Sequence, residues 1–254
     1  MSLSKFESML KTNNVYFFDA MEFEEIIQHY LSISKLSLAK KGIQLGLEQH
    51  PGSIILKLLK VELFVFEDDL IEAIKLLSEV EVLAPNNDEV FIQKATISSK
   101  KRKHKEAITF LNKSLEYSQD PFDVWVMLGM EYLYLEDYKN ASLNFKKCLE
   151  LDFEDYSSLY NIIYFFEMLN DFVGAISYLK IFLERNPYSE VGWHQLGRQY
   201  FELENYNEAL EAFDYAVLID ESFIGGYLEK AKTHEKLKEY EEAIANYLIT
   251  LNLD

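Results

Sequence analysis

Five histidines, one cysteine and two runs of like charge are the residues of this chain best placed to do chemistry. His29, His50, His104, His194 and His234 supply imidazoles, which serve as metal ligands or general bases when two or three converge. None of them stands at a metal-ligand spacing, and no His-Glu-x2-His helix is present. The phosphate-cradling patterns Gly-x-Gly-x2-Gly and Gly-x4-Gly-Lys-Ser/Thr are also missing from the sequence. Cys148 falls at a small core slot of the repeat pattern described below (position twenty-seven), which suits a buried, inert thiol better than a nucleophile. Glu67-Asp68-Asp69 reads as a solvated turn. The run Lys100-Lys101-Arg102-Lys103-His104-Lys105 reads as an exposed turn whose charge offsets acidic surroundings. A targeting signal or an anion-docking patch is the functional alternative for that run. No catalytic residue, metal site or cofactor is expected.

The elements that position these residues announce themselves through alanine. Ala39, Ala73, Ala107, Ala141, Ala175, Ala209 and Ala243 recur with a constant step of 34 residues, and they are half of the fourteen alanines in the chain. A fixed period of this length marks a stacked array of supersecondary units. Repeats then start at Ala20, Ile54, Asp88, Phe122, Tyr156, Glu190 and Ile224, with the recurring alanine at position twenty. Large apolar residues at positions four, seven and eleven form one helical stripe. Positions twenty, twenty-four and twenty-seven form the facing stripe of a second helix. Small residues at position eight (Ala95, Gly129, Gly197, Ala231) are expected to let the two backbones approach. Pro51, Pro85 and Pro187 at position thirty-two end second helices, because proline lacks the N–H that would continue the turn. The first repeat departs most, with Ile27 at position eight and Gly46 at twenty-seven; Lys57 and Ser98 also interrupt the apolar pattern.

Two segments carry a family likeness. Trp125-x2-Leu128-Gly129-x2-Tyr132 followed by Tyr138, Ala141 and Phe145, and Trp193-x2-Leu196-Gly197-x2-Tyr200 followed by Tyr206, Ala209, Phe213 and Ala216, resemble the tetratricopeptide repeat. The resemblance covers residues 20–254 as seven repeats in register. It implies an all-α fold, a right-handed α-α superhelix with first helices lining a concave groove. Residues 1–19 are expected to form an N-terminal capping helix, opened by a capping box at Ser4 and Glu7.

The same resemblance implies that positions two, five, nine, twelve and thirteen of each first helix face the groove. In the middle repeats these are Val126, Met130, Leu133 and Tyr134, then Tyr160, Tyr164, Glu167 and Met168, then His194, Arg198, Phe201 and Glu202. Aromatic, methionine and arginine side chains suit capture of a peptide; packing between neighbouring first helices is the competing use. Members of the family that grip acidic chaperone tails carry lysine at position five and asparagine at nine. Position five here is never lysine and position nine never asparagine. Members bearing a glycosyltransferase show an asparagine ladder at position six, which only Asn161 matches.

Charge narrows the partner. With 43 acidic against 25 basic residues the net charge is −18, a field that opposes nucleic acid and anionic membrane surfaces and favours basic or apolar protein segments. No apolar run reaches membrane-spanning length and no signal peptide opens the sequence, so a cytoplasmic location is expected. Ile244, Tyr247, Leu248 and Leu251 would leave an apolar edge at the end of the seventh repeat, which suggests self-association or a continuing chain. The function expected is a non-catalytic interaction scaffold. A regulatory module of a larger multi-repeat or multidomain protein is the alternative.

Overall fold

The computed structural model describes residues 2–12 and 16–253. Among them the chain is all-α: fifteen helices and no strand. By the packing of its backbone it divides into two units, residues 1–135 and 136–254, within the turn that follows the first helix of the fourth repeat. Asp254, where the sequence reading ends the seventh repeat, lies outside the described residues.

The first unit holds α1 (Ser2–Thr12), α2 (Ala20–Ser32), α3 (Leu36–Gln49), α4 (Ile54–Phe66), α5 (Leu70–Leu83), α6 (Asp88–Lys100), α7 (His104–Ser114) and α8 (Phe122–Tyr134). The second holds α9 (Tyr138–Leu151), α10 (Tyr156–Met168), α11 (Phe172–Arg185), α12 (Glu190–Glu202), α13 (Tyr206–Ile219), α14 (Ile224–Leu237) and α15 (Tyr240–Leu253). All seven first helices begin at the repeat starts read from the alanine step. The recurring alanines are buried, from 0% exposure at Ala39 to 2% at Ala243.

Two further periodic devices set the helix boundaries. The residue before a repeat caps its first helix: Asp19, Ser53, Asn87, Asp155 and Ser189 each accept a hydrogen bond from the N–H three residues on. Asp69, Asp137 and Asp171 do the same for second helices. Between the two helices stands a residue in the left-handed region. Ser34, Asp68, Arg102, Glu136, Asn170, Glu204 and Lys238 have φ between 53° and 64°, on the same 34-residue step. In six of these turns among the described residues, the following N–H donates to the carbonyl five residues back, as from Asp69 to Phe64 and from Asn205 to Tyr200. That bond satisfies a helix-end carbonyl and reverses the chain.

The capping box foreseen at Ser4 is not where the first helix opens. α1 begins at Ser2, so Ser4 lies inside it. The capping box of this region is formed by Asp19 and Glu22 at the start of α2. Helix α1 inserts Phe6, fully buried, among Phe18, Phe23 and Tyr30 at ring separations of 6.1 to 6.5 Å.

Small residues act where the helices need them, and not always at position eight. A Cβ on Gly197 would lie 2.6 Å from Cδ1 of Phe213, so the missing methyl makes room for the ring at position twenty-four. In the first repeat Ile27 occupies position eight, and the space comes from the opposite helix. A Cβ on Gly42 would stand 2.9 Å from Ile27, and one on Gly46 would stand 3.1 Å from Phe23. The repeat that departs most from the pattern has therefore exchanged its large and small partners across the hairpin. Ser98 is buried, and its carbonyl accepts the turn bond from Lys103.

Candidate functional site

On two first helices, α8 and α10, the exposed apolar residues follow a four-residue step. On α10, Tyr160, Tyr164 and Met168 are 43%, 47% and 46% exposed, one above the other along a single stripe. On α8, Met130 and Tyr134 continue the same repeat positions and are also exposed, whereas Val126 and Leu133 are half-buried. Two tyrosines and a methionine exposed in a row on one face make a candidate contact surface.

Tyr134 is held from behind. Its ring stacks on His104 at 4.9 Å, and His104 Nδ1 lies 2.8 Å from Oε2 of Glu131, which is buried. His104 therefore belongs to a packed contact between α7 and α8. Its neighbours in the basic run are also engaged: Lys100 pairs with Asp68 at 3.6 Å and Lys103 with Glu106 at 3.1 Å. The run lies at a turn, with acidic partners around it.

In the second unit α10 is tied to α12 through Glu167. Gln199 Nε2 donates to its Oε1 at 2.9 Å, and Arg198 Nη2 approaches the same oxygen at 3.7 Å. Arg198 also donates to Gln195 Oε1 at 3.4 Å. Glu167 and Arg198, read from sequence as separate contacts for a ligand, thus meet each other. Phe201 is half-buried with its ring against Tyr206 at 5.4 Å.

His194 does not present its imidazole to a groove. The ring sits between Phe213 and Phe223, at 5.8 and 5.2 Å, and both nitrogens are buried without a hydrogen-bond partner. Burial first, and then the Arg198 guanidinium, hold its pKa down to about 4. A neutral ring packed among aromatics is the outcome. Cys148 is likewise fully buried.

Polar side chains at positions six and ten, between successive first helices, escaped the sequence reading. Gln93, Glu131, Gln195, Gln199 and Thr233 are all buried there, where other repeats carry Leu59, Leu63, Ile97 or Phe165. A polar residue at an otherwise apolar repeat position was the available signal. In the first unit Gln93 donates to Glu89 at 2.8 Å. Burial raises the pKa of Glu89, with Glu62, Asp88 and Asp123 adding like-charge repulsion; burial also raises that of Glu62. The first helices of this unit thus gather carboxylates that a cation would relieve.

Among the described residues no group of three or more His, Cys, Asp or Glu side chains is arranged to hold a metal ion. No helix there is long and apolar enough to cross a membrane.

Comparison with known proteins agrees with this architecture. Tetratricopeptide-repeat models match residues 88–121, 122–155, 191–223 and 224–248. Two relatives come from Schizosaccharomyces pombe. Anaphase-promoting complex subunit 3 is 24% identical over 162 residues, covering 63% of this chain and 24% of that protein. The DnaJ homolog subfamily C member 7 homolog is 25% identical over 198 residues, covering 77% of this chain and 37% of that protein. The chain thus spans well under half the length of either relative. The crystal structure of the APC/C hetero-tetramer Cut9-Hcn1 has a chain similar in fold, with a TM-score of 0.52 at 17% identity, covering 99% of this chain and 49% of that one. Repeats of this kind make protein-interaction scaffolds. The chain belongs to the tetratricopeptide-repeat family.

Proposed function

We propose that this protein is a non-catalytic scaffold that holds an extended segment of a protein partner against the face of its first helices. The observation that carries this reading is the stripe of Tyr160, Tyr164 and Met168, half in water and aligned along α10. Aromatic and methionine side chains give large contact area at low cost in ordering. The Glu167–Arg198 pair beside the stripe offers a carboxylate to a basic group or a guanidinium to an acidic one once a ligand competes for either. The carboxylates around Glu62 and Glu89 in the first unit favour a partner that carries basic residues between apolar ones. Val126, Met130, Leu133 and Tyr134 hold the corresponding repeat positions on α8 in the first unit, and Phe201 holds one on α12 in the second.

The test is an array of random peptides probed with the full chain and with Tyr164→Ala. Enrichment of apolar peptides with lysine or arginine, lost in the variant, is the expected result. Binding that is unchanged by Tyr164→Ala, and also by Arg198→Ala, would remove the assignment. A second reading, a fixed subunit contact within a larger assembly, draws on the relative named as a subunit of a complex. Self-association through Ile244, Leu248 and Leu251, all exposed on α15, belongs to this reading. A concentration-independent monomer in sedimentation would dismiss that part.

A further inference from the structure

A cleft of the second unit lies away from the first-helix stripe, between the second helices α9 and α11. Its volume is about 560 Å³, the size of a typical ligand pocket. Leu149 and Phe182, both nearly buried, form its floor, and Phe153 stands 55% exposed at its rim. Lys146 forms one wall, its ammonium 4.9 Å from the centre of the Tyr178 ring.

Two features distinguish this cleft from a mere gap between helices. First, its cations are uncompensated. Among the described residues neither Lys146 nor Arg185 is in an ion pair, although the chain carries a net charge of −18. Burial lowers the pKa of Lys146 with no carboxylate opposing it. A part-buried ammonium beside an aromatic face is an incomplete arrangement, which an incoming anion completes. Second, the next cleft, between α11 and α13, is the more acidic of the two: it sets Lys180 against Glu184, Glu208 and Glu211, where the first sets two cations against two carboxylates. Only Glu150 and Glu154 line the first cleft on the acidic side, and both are exposed at its edge. Glu150 acts on the Tyr178 hydroxyl, whose pKa is pushed up to about 12 chiefly by burial, while Arg185 acts on it in the opposite sense.

We propose that the α9–α11 cleft is a second docking site, for a short segment of a protein partner in which a bulky apolar residue adjoins a carboxylate. The apolar side chain rests on Leu149 and Phe182, and the carboxylate faces Lys146 with Arg185 at the mouth. The site is independent of the first-helix stripe and shares with it only the reading that the chain binds protein segments. The cleft and the stripe then select opposite charges, so one molecule joins an acidic segment and a basic one.

The experiment titrates the full chain with three blocked dipeptides, acetyl-Phe-Asp-amide, acetyl-Phe-Asn-amide and acetyl-Phe-Lys-amide, following backbone amide resonances. The acidic probe is expected to give saturable shifts at millimolar concentration, centred on Lys146 and Tyr178, with the other two weaker by about ten-fold or more, as loss of a desolvated charge pair implies. Lys146→Met, which keeps the stem, abolishes the preference for the acidic probe. Arg185→Gln, at an exposed position, weakens it several-fold and guards against misfolding of the first variant. Tyr164→Ala leaves it unchanged even if the stripe proves inert, so the two readings fail separately. Equal shifts with all three probes, no saturation, or an acidic preference that survives both Lys146→Met and Arg185→Gln would overturn the proposal.

Discussion

Adding a single methyl group at Gly197 tests how the hairpin is closed. The new Cβ would stand 2.6 Å from Cδ1 and 2.9 Å from Cζ of Phe213, with Cε1 closer still. Unstrained carbon contacts sit near 3.5–4.0 Å, so the ring must move by about 1 Å. Phe213 is fully buried and Ala209 beside it equally so, so the ring must move within the core and not out into water. Overpacking of this kind costs about 1–3 kcal/mol, and replacing a mid-helix glycine by alanine returns about 1 kcal/mol. With three ring atoms in conflict the upper end of the range applies, so Gly197→Ala is expected to lose about 2 kcal/mol. Phe213→Leu removes Cε1 and Cζ and leaves a smaller side chain whose Cδ atoms can turn away, at the expense of a small cavity. In the double variant the added methyl enters that cavity, and the two changes should be coupled favourably by at least about 1 kcal/mol.

Urea unfolding followed through Trp193 is the assay. Its ring stacks on Tyr215 at 4.5 Å and reports on α12 and α13. A Trp125→Phe background removes the other tryptophan, so the transition is read in the second unit alone, without assuming that both units unfold together. Gly52→Ala is the control: nothing lies within 4 Å of its added Cβ, and no described glycine has positive φ. That change should be neutral or stabilising by about 0.4–1 kcal/mol. If Gly197→Ala is as stable as the parent and adds to Phe213→Leu within about 0.5 kcal/mol, the absent methyl is not what admits the ring.

Three more outcomes follow from the same contacts. His194 has a folded pKa of about 4 against about 6.5 unfolded, so below pH 6.5 the unfolded chain takes up a proton that the folded chain refuses. Stability is untouched above pH 6.5, falls as pH drops toward 4, and the loss levels off near about 3 kcal/mol. His194→Phe should remove that part of the pH dependence from the variant's stability, with Arg198, Glu229 and Lys232 still present, and an unchanged slope would contradict the burial of the ring. Phe6→Ala should cost about 3–5 kcal/mol, seen as faster hydrogen exchange across α1 to α3, whereas protection that is retained there would show α1 to be dispensable. Glu204, at φ 60°, should tolerate glycine with a gain of up to about 1 kcal/mol and reject valine; equal melting temperatures for Glu204→Gly and Glu204→Val would refute the left-handed turn.

Much of the fold was legible because the alanine step is a packing constraint. A buried position that admits only a methyl group survives in every repeat, and seven of them in phase determine where each pair of helices must lie. The left-handed turns follow the same step but are carried by Ser34, Asp68, Arg102, Glu136, Asn170, Glu204 and Lys238. Backbone geometry repeats there while side-chain chemistry does not, so no residue type betrays it. The caps were more readable: Asp19, Ser53, Asn87, Asp155 and Ser189 are oxygen-bearing residues one place before five of the seven first helices, Pro121 and Phe223 preceding the other two. The exchange of Ile27 with Gly42 and Gly46 was hidden because a pattern scored one position at a time cannot see that a large residue on one helix is admitted by a small one on its neighbour.

The site was legible in position and not in pairing, for a physical reason. Repeat phase fixes the direction in which a Cβ leaves its helix, and this was enough to place Tyr160, Tyr164 and Met168 on one exposed stripe. What a long side chain then meets depends on the adjacent helix. Glu167 and Arg198 share the first-helix face, yet the distance between α10 and α12 lets them satisfy each other, with Gln199 completing the contact. His194 occupies a groove position by count, but Phe213 and Phe223 offer an apolar slot within reach of its ring, and desolvation keeps it neutral there. Lys146 shows the converse. Nothing in a 34-residue step distinguishes a lysine facing water from one on a second helix that faces an aromatic wall and is in no ion pair. In a solenoid, therefore, period assigns faces, whereas the residues able to bind are those whose polar groups the neighbouring helix fails to satisfy.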